Sequence, residues 1–192
     1  MIPKNTAKLM RFLLRNPEKY NINQIAKAVK ISVGSSFKIL KDLEKNSIVL
    51  AETIGNGGYY GLNLDNPEAV KLCEILLLEE KRQLAGYAKV YAESIKEFNK
   101  AELIVLFGSV LKKKEFNDVD VLFVTNNVKA VNDFCIELSK IRTKPVVPLI
   151  LKRGDLIKEL KSKKEAIVSA IKEGVVLRGE SLFVEVIKHA KK

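Results

Sequence analysis

Leu103-Ile104-Val105-Leu106-Phe107-Gly108-Ser109 and, after a short Lys-rich stretch, Asp118-Val119-Asp120-Val121-Leu122-Phe123-Val124 decide the reading of the C-terminal half of this 192-residue chain. The first run is apolar, rich in β-branched residues and stopped by Gly-Ser, which predicts a buried strand ending in a turn. The second predicts another strand. Strand side chains alternate, so Asp118 and Asp120 share one face while Val119 and Val121 point to the core. Two adjacent carboxylates repel, and a cation is the usual remedy. Oxygen-only ligands suit magnesium, which takes one or two carboxylates and completes its shell with phosphate and water. Gly108 lets the backbone approach a phosphate closely, and Ser109 offers a hydroxyl and an N–H to it.

Together these residues resemble the DNA polymerase β-like nucleotidyltransferase superfamily, its minimal nucleotidyltransferase branch in particular. The family pattern is a strand ending in Gly-Ser, a short helical crossover, then Asp-hydrophobic-Asp on the next strand. Residues 106–124 read LFGSVLKKKEFNDVDVLFV, and the likeness spans roughly residues 100–180. It implies that Gly108, Ser109 and Lys112 hold the triphosphate of ATP or another nucleoside triphosphate. It implies that Asp118 and Asp120 are the catalytic carboxylates and bind two Mg2+ ions. There are departures. The loop is a little short, and Val110 stands where the family often has arginine, with Lys112, Lys113 and Lys114 supplying charge nearby. The family often adds a third carboxylate on a later strand. The candidate strand 146–151, VVPLIL, carries no acid, and Asp155 beyond it reads as a helix cap.

The net charge is +11, which favours polyanion partners such as nucleic acid. Cys73 and Cys135 have no metal-ligand spacing and read as reduced core residues, which predicts a cytoplasmic protein. His189 is the sole histidine and lies in the Lys-rich tail, which argues against a histidine triad or a zinc site. No apolar run has the length of a membrane span, so no membrane partner is expected.

Residues 1–66 read as a domain of their own. Leu9, Met10, Leu13 and Leu14 line a first helix over 5–16, ended by Asn16-Pro17. A second helix spans 23–29, with Asn21 or Asn23 as cap. A third follows, capped by Ser32 or Gly34 and closed at Asn46, with Val33, Phe37, Leu40 and Leu43 as its buried stripe. A strand over 48–54, the turn Gly55-Asn56-Gly57-Gly58 and a return strand over 59–64 predict a hairpin.

Three helices and a hairpin resemble a winged helix-turn-helix domain of the broad MarR/ArsR type, and residues 22–49, INQIAKAVKISVGSSFKILKDLEKNSIV, carry its rhythm. The resemblance implies a third helix in the major groove of double-stranded DNA. Ser32, Ser35, Ser36 and Lys38 are its expected exposed contacts, and Lys30 and Lys41 add phosphate contacts. Such domains also dock proteins, so both roles stay open.

Residues 67–99 predict one long, apolar linker helix over 68–98, with Gly86 marking a bend or a place of close packing. It is expected to pack on both domains or on a second copy, giving a homodimer. In residues 100–192 the order strand, helix, strand, helix, strand predicts a small mixed sheet flanked by helices. The expected fold class is thus α+β.

Two functions are open. In one, the protein transfers a nucleoside monophosphate, AMP first among candidates, from a triphosphate to a hydroxyl of a protein partner, as an antitoxin modifies its toxin. In the other, it is a catalytically inactive transcriptional regulator whose second domain binds nucleotide or mediates oligomerisation.

Overall fold

The computed structural model describes residues 2–112 and 115–190, and the chain is α+β. The described residues form two compact units, 2–76 with 187–190, and 77–186.

In the first unit, α1 (Lys4–Arg15), α2 (Ile22–Val29) and α3 (Val33–Lys45) precede a hairpin of β2 (Val49–Ile54) and β3 (Gly57–Leu62). The caps explain the helix starts. Asn21 Oδ1 accepts from the Gln24 N–H at 3.0 Å, and Gln24 Oε1 accepts from the Asn21 N–H at 2.9 Å, a reciprocal capping box. Ser32 Oγ accepts from the Ser35 N–H at 3.1 Å. Leu9, Met10, Leu13, Leu14, Ile25 and Leu40 are almost wholly buried, as periodicity predicts. The hairpin is tighter than expected. Gly55 adopts φ +60° beside Asn56, so Gly57 and Gly58 are not turn residues but pair with Ile54 and Thr53. A two-residue strand, β1 (Tyr20–Asn21), pairs with β3 and completes the order β1-β3-β2.

The predicted linker helix is interrupted. Two helices, α4 (Pro67–Arg82) and α5 (Gly86–Ile95), replace it, and Gly86 at φ +55° opens the second. Its apolar residues have partners: Ala88, Tyr91, Ala92 and Ile95 belong to the core of the second unit. The boundary between the units falls within α4, between residues 76 and 77.

The second unit is built on a four-stranded mixed sheet of order β6-β5-β4-β7. Strand β4 (Leu103–Phe107) pairs antiparallel with β5 (Val119–Val124) and with β7 (Val175–Arg178), while β5 and β6 (Val146–Leu151) are parallel. On one face Ile104, Leu106, Val119, Val121 and Phe123 form a core with α5 and α6 (Val128–Ile141). Helix α8 (Glu165–Glu173) lies on the other face. A Cβ at Gly174, just past its end, would sit 2.6 Å from Val105 Cγ1. The helical region expected as one piece is split into α7 (Arg153–Lys161) and α8, and Asp155 lies inside the first turn of α7, with Lys152 as the cap residue. Helix α9 (Glu180–Ala190) ends the described chain. Among the described residues no helix is long and apolar enough to cross a membrane.

Candidate functional site

Strand alternation puts Asp120 on the face opposite Val119 and Val121, which are fully buried. Asp118 stands one residue before β5, and both carboxylates are half-buried. Antiparallel pairing sets Asp120 beside Phe107, the last residue of β4, and parallel pairing sets it beside Val147 of β6. The chain then turns at Gly108 into a single 3-10 turn, Ser109–Leu111.

Gly108 is demanded twice over. Its φ of +83° is one that L side chains rarely adopt, and a Cβ there would lie 2.1 Å from Asp120 Oδ2. The Asp120 carboxylate therefore occupies the space that any other residue at 108 would fill. The Gly-Ser turn and the second aspartate, separate signals in the sequence, meet here.

Burial, and secondarily the charge of Asp118, push the Asp120 carboxyl above its ordinary value. Both causes penalise the ionised form, and a bound cation would remove the second. Two carboxylates at the end of a sheet, open to a Gly-Ser turn, are a donor set that fits a hard divalent cation sharing its shell with phosphate oxygens. Among the described residues no cluster of three or more His, Cys, Asp or Glu side chains is placed to hold a metal. Asp118 and Asp120 are the two residues here that could hold such a cation. Asp120's neighbour on β6 is Val147, 44% exposed, so the position facing Asp120 is apolar and open.

Lys112 follows the 3-10 turn and pairs with Glu173 at the end of α8. Both are half-exposed, so the pair is weak and a phosphate could displace the glutamate. Nothing local in the sequence signals this partner, 61 residues away. Lys113 and Lys114 lie outside the described residues. The start of β6 is fixed by Tyr91, whose hydroxyl donates to the Lys144 carbonyl and accepts from its N–H, both at 2.9 Å. This clamp was not legible either. A cavity of about 540 Å3 elsewhere in the unit includes Lys81, Lys96 and Arg178 in its lining, but not Gly108, Asp118 or Asp120. Lys81 bonds Glu180 and the Leu177 carbonyl, Lys96 pairs with Glu93, and Arg178 bonds the Lys96 carbonyl.

In the first unit the expected nucleic-acid contacts divide. Lys30, exposed, closes α2 in the left-handed conformation at φ +57°. Lys38 is exposed on α3. Lys41 is exposed, bonds Glu44 at 2.7 Å and lies 5.9 Å from the centre of the Phe37 ring. Ser32 and Ser35 are exposed but engaged with each other, Oγ to Oγ at 2.9 Å. Ser36 is a correction: it is fully buried and cannot touch DNA. The predicted stripe is turned about the helix axis. Ser36, Leu40 and Leu43 face inward, while Val33 and Phe37 are 46% and 49% exposed. Both sets have helical spacing, and the one with the smaller side chain lets α3 approach its neighbours more closely.

No family model, curated protein or solved structure matches this chain.

Proposed function

We propose that the chain is a winged-helix DNA-binding protein whose second unit is a nucleotidyltransferase of the polymerase β-like kind. It would move a nucleoside monophosphate, AMP first among candidates, from a triphosphate to a hydroxyl of a protein partner. The observation that carries this reading is the interlock of Gly108 with Asp120, where the carboxylate fills the place of a Cβ. Such a turn sets bare backbone against the Asp120 carboxylate, with Ser109 next in the chain and the charge of Asp118 felt at Asp120, parts that a metal-bound triphosphate requires.

In this reading Asp118 and Asp120 bind and orient the nucleotide through the cation. Gly108 and Ser109 seat its phosphates, and Lys112 leaves Glu173 to neutralise them. A bound Mg2+ would spread the charge of the triphosphate and of the departing pyrophosphate. The acceptor oxygen forms a bond to the α-phosphorus, the bond to pyrophosphate breaks, and the hydroxyl proton passes to solvent. The exposed lysines of the first unit and the net charge of +11 support duplex DNA as its partner. The homodimer and the cytoplasmic setting belong to the same reading.

A second reading has its own observation. Val147, not an acid, stands beside Asp120 on β6. A site with two carboxylates can bind nucleotide without turning it over, which would make the protein a nucleotide-responsive regulator.

One experiment separates the two. The protein is incubated with each α-labelled nucleoside triphosphate and Mg2+, with and without lysate of its own cells, with Asp118→Ala/Asp120→Ala as control. A labelled protein band dependent on both aspartates supports transfer. Nucleotide binding that needs the aspartates, without label, supports the regulator. Neither binding nor label refutes both.

A further inference from the structure

The solvent face of α3 has an unusual make-up for a free helix. Val33 and Phe37, one turn apart, are 46% and 49% exposed. Gly34 lies beside them in the first turn of the helix. A Cβ at Gly34 would meet nothing within 4 Å, so the fold does not require glycine there. Glycine nevertheless destabilises a helix relative to alanine. A glycine with no internal reason, on an exposed helix face, leaves bare backbone for something outside the chain to approach closely.

The rim of this face is basic on balance: Lys38, Lys41 and Lys45 of α3 and Lys30 just before it are exposed, against Asp42 and Glu44, the latter paired with Lys41. Two apolar side chains are far less surface than a stable protein interface needs, about 800 Å2 per partner. Two apolar side chains inside a lysine rim do suit a duplex. The major groove presents one apolar group to a protein, the C5 methyl of thymine, and the lysines would meet the phosphates that flank it.

We infer that Val33 and Phe37 read thymine methyl groups in the major groove, with the α3 backbone at Gly34 lying close against the DNA. The inference rests on the DNA-binding reading above and adds the base class recognised and the residues that discriminate it. It assigns specificity to two side chains that helical periodicity places in the core. Lys30, Lys38 and Lys41 set affinity without sequence preference.

The test uses the full chain and a randomised duplex library, from which bound sequences are enriched and resynthesised with dU in place of dT. The substitution removes only the methyl group. The expected result is enrichment of thymine at fixed positions, with roughly a fourfold loss of affinity for each contacted methyl removed. Phe37→Ala and Val33→Ala should each lose the dT preference at the methyl contacted by the side chain removed, and the double variant should bind dT and dU duplexes alike. Gly34→Ala should raise the melting temperature of the protein yet weaken duplex binding, a split that a purely structural glycine would not give. Equal binding of dT and dU duplexes by the unsubstituted protein overturns the inference while leaving DNA binding intact. So does Phe37→Ala that turns a dimer into a monomer with dT/dU discrimination unchanged, since the face is then a protein interface. If no duplex is enriched, the DNA-binding reading fails and the inference fails with it.

Discussion

Asp120 Oδ2 lies 2.1 Å from the point where a Cβ of residue 108 would stand. One atom of the second aspartate thus makes glycine obligatory at the end of the neighbouring strand. Gly108→Ala must move that carboxylate or the turn, and must also carry an alanine at φ +83°. The strain alone costs of order 1–3 kcal/mol. The expected outcome is a lower melting temperature together with loss of Mg2+-dependent nucleotide binding by calorimetry. Unchanged binding would dissolve the link between the turn and the carboxylate.

Asp120→Asn is expected to stabilise the metal-free protein. The native carboxyl is raised by burial and by Asp118, so folding favours its protonated form. Its contribution is most favourable below the ordinary carboxylate pKa. It is lost as pH rises from that value through the raised native one, and above this window the full penalty stands. The gain in melting temperature from Asp120→Asn should therefore be present at pH 7 and vanish in acid. Added Mg2+ should stabilise the unsubstituted protein and not the variant. A gain independent of pH would mean that the carboxylate charge is not its source.

Ser36→Ala separates the observed face of α3 from the predicted one. The Ser36 hydroxyl is buried and has no hydrogen-bond partner among the described residues. An unsatisfied buried hydroxyl costs about 1–3 kcal/mol, so its removal should raise stability by ~1 kcal/mol and leave duplex affinity unchanged. Chemical denaturation and a binding titration check both. A loss of duplex affinity would return Ser36 to the surface.

The sequence made strands β4 and β5 legible because β4 is a continuous apolar run and β5 is one broken only by Asp120, the composition of strands covered on both faces. It made the two aspartates legible because alternation forces them to one face. The polar face of α3 is not legible because Val33 and Phe37 fit a helical stripe as well as Ser36 and Leu43 do, and only packing against neighbours chooses. The break in the 68–98 helix is half legible: Gly86 signals either a bend or close packing, and nothing signals that the chain leaves the helix at residue 83. The Lys112–Glu173 pair and the Tyr91 clamp on Lys144 join residues far apart in the chain, which no local pattern encodes.

Val147 offers the most direct test of why β6 carries no acid. Register sets it directly beside Asp120 in a parallel pair, and the Tyr91 clamp near the start of β6 holds that register. Neighbouring positions on one sheet face place their side chains in contact range. Val147→Asp would therefore bring a third carboxylate to Asp118 and Asp120, as the nucleotidyltransferase resemblance describes. Three carboxylates repel more than two, so the metal-free variant should melt at a lower temperature, and the deficit should shrink as Mg2+ is added. With one more oxygen ligand, Mg2+ should bind roughly tenfold more tightly, ~1.4 kcal/mol. If nucleotide turnover appears or rises in the same variant, the valine is what limits the present site to slow transfer or to binding. If Mg2+ affinity is unchanged, Asp118 and Asp120 do not hold a cation at this end of the sheet, and the polyanion partners of the chain are to be sought on the first unit alone.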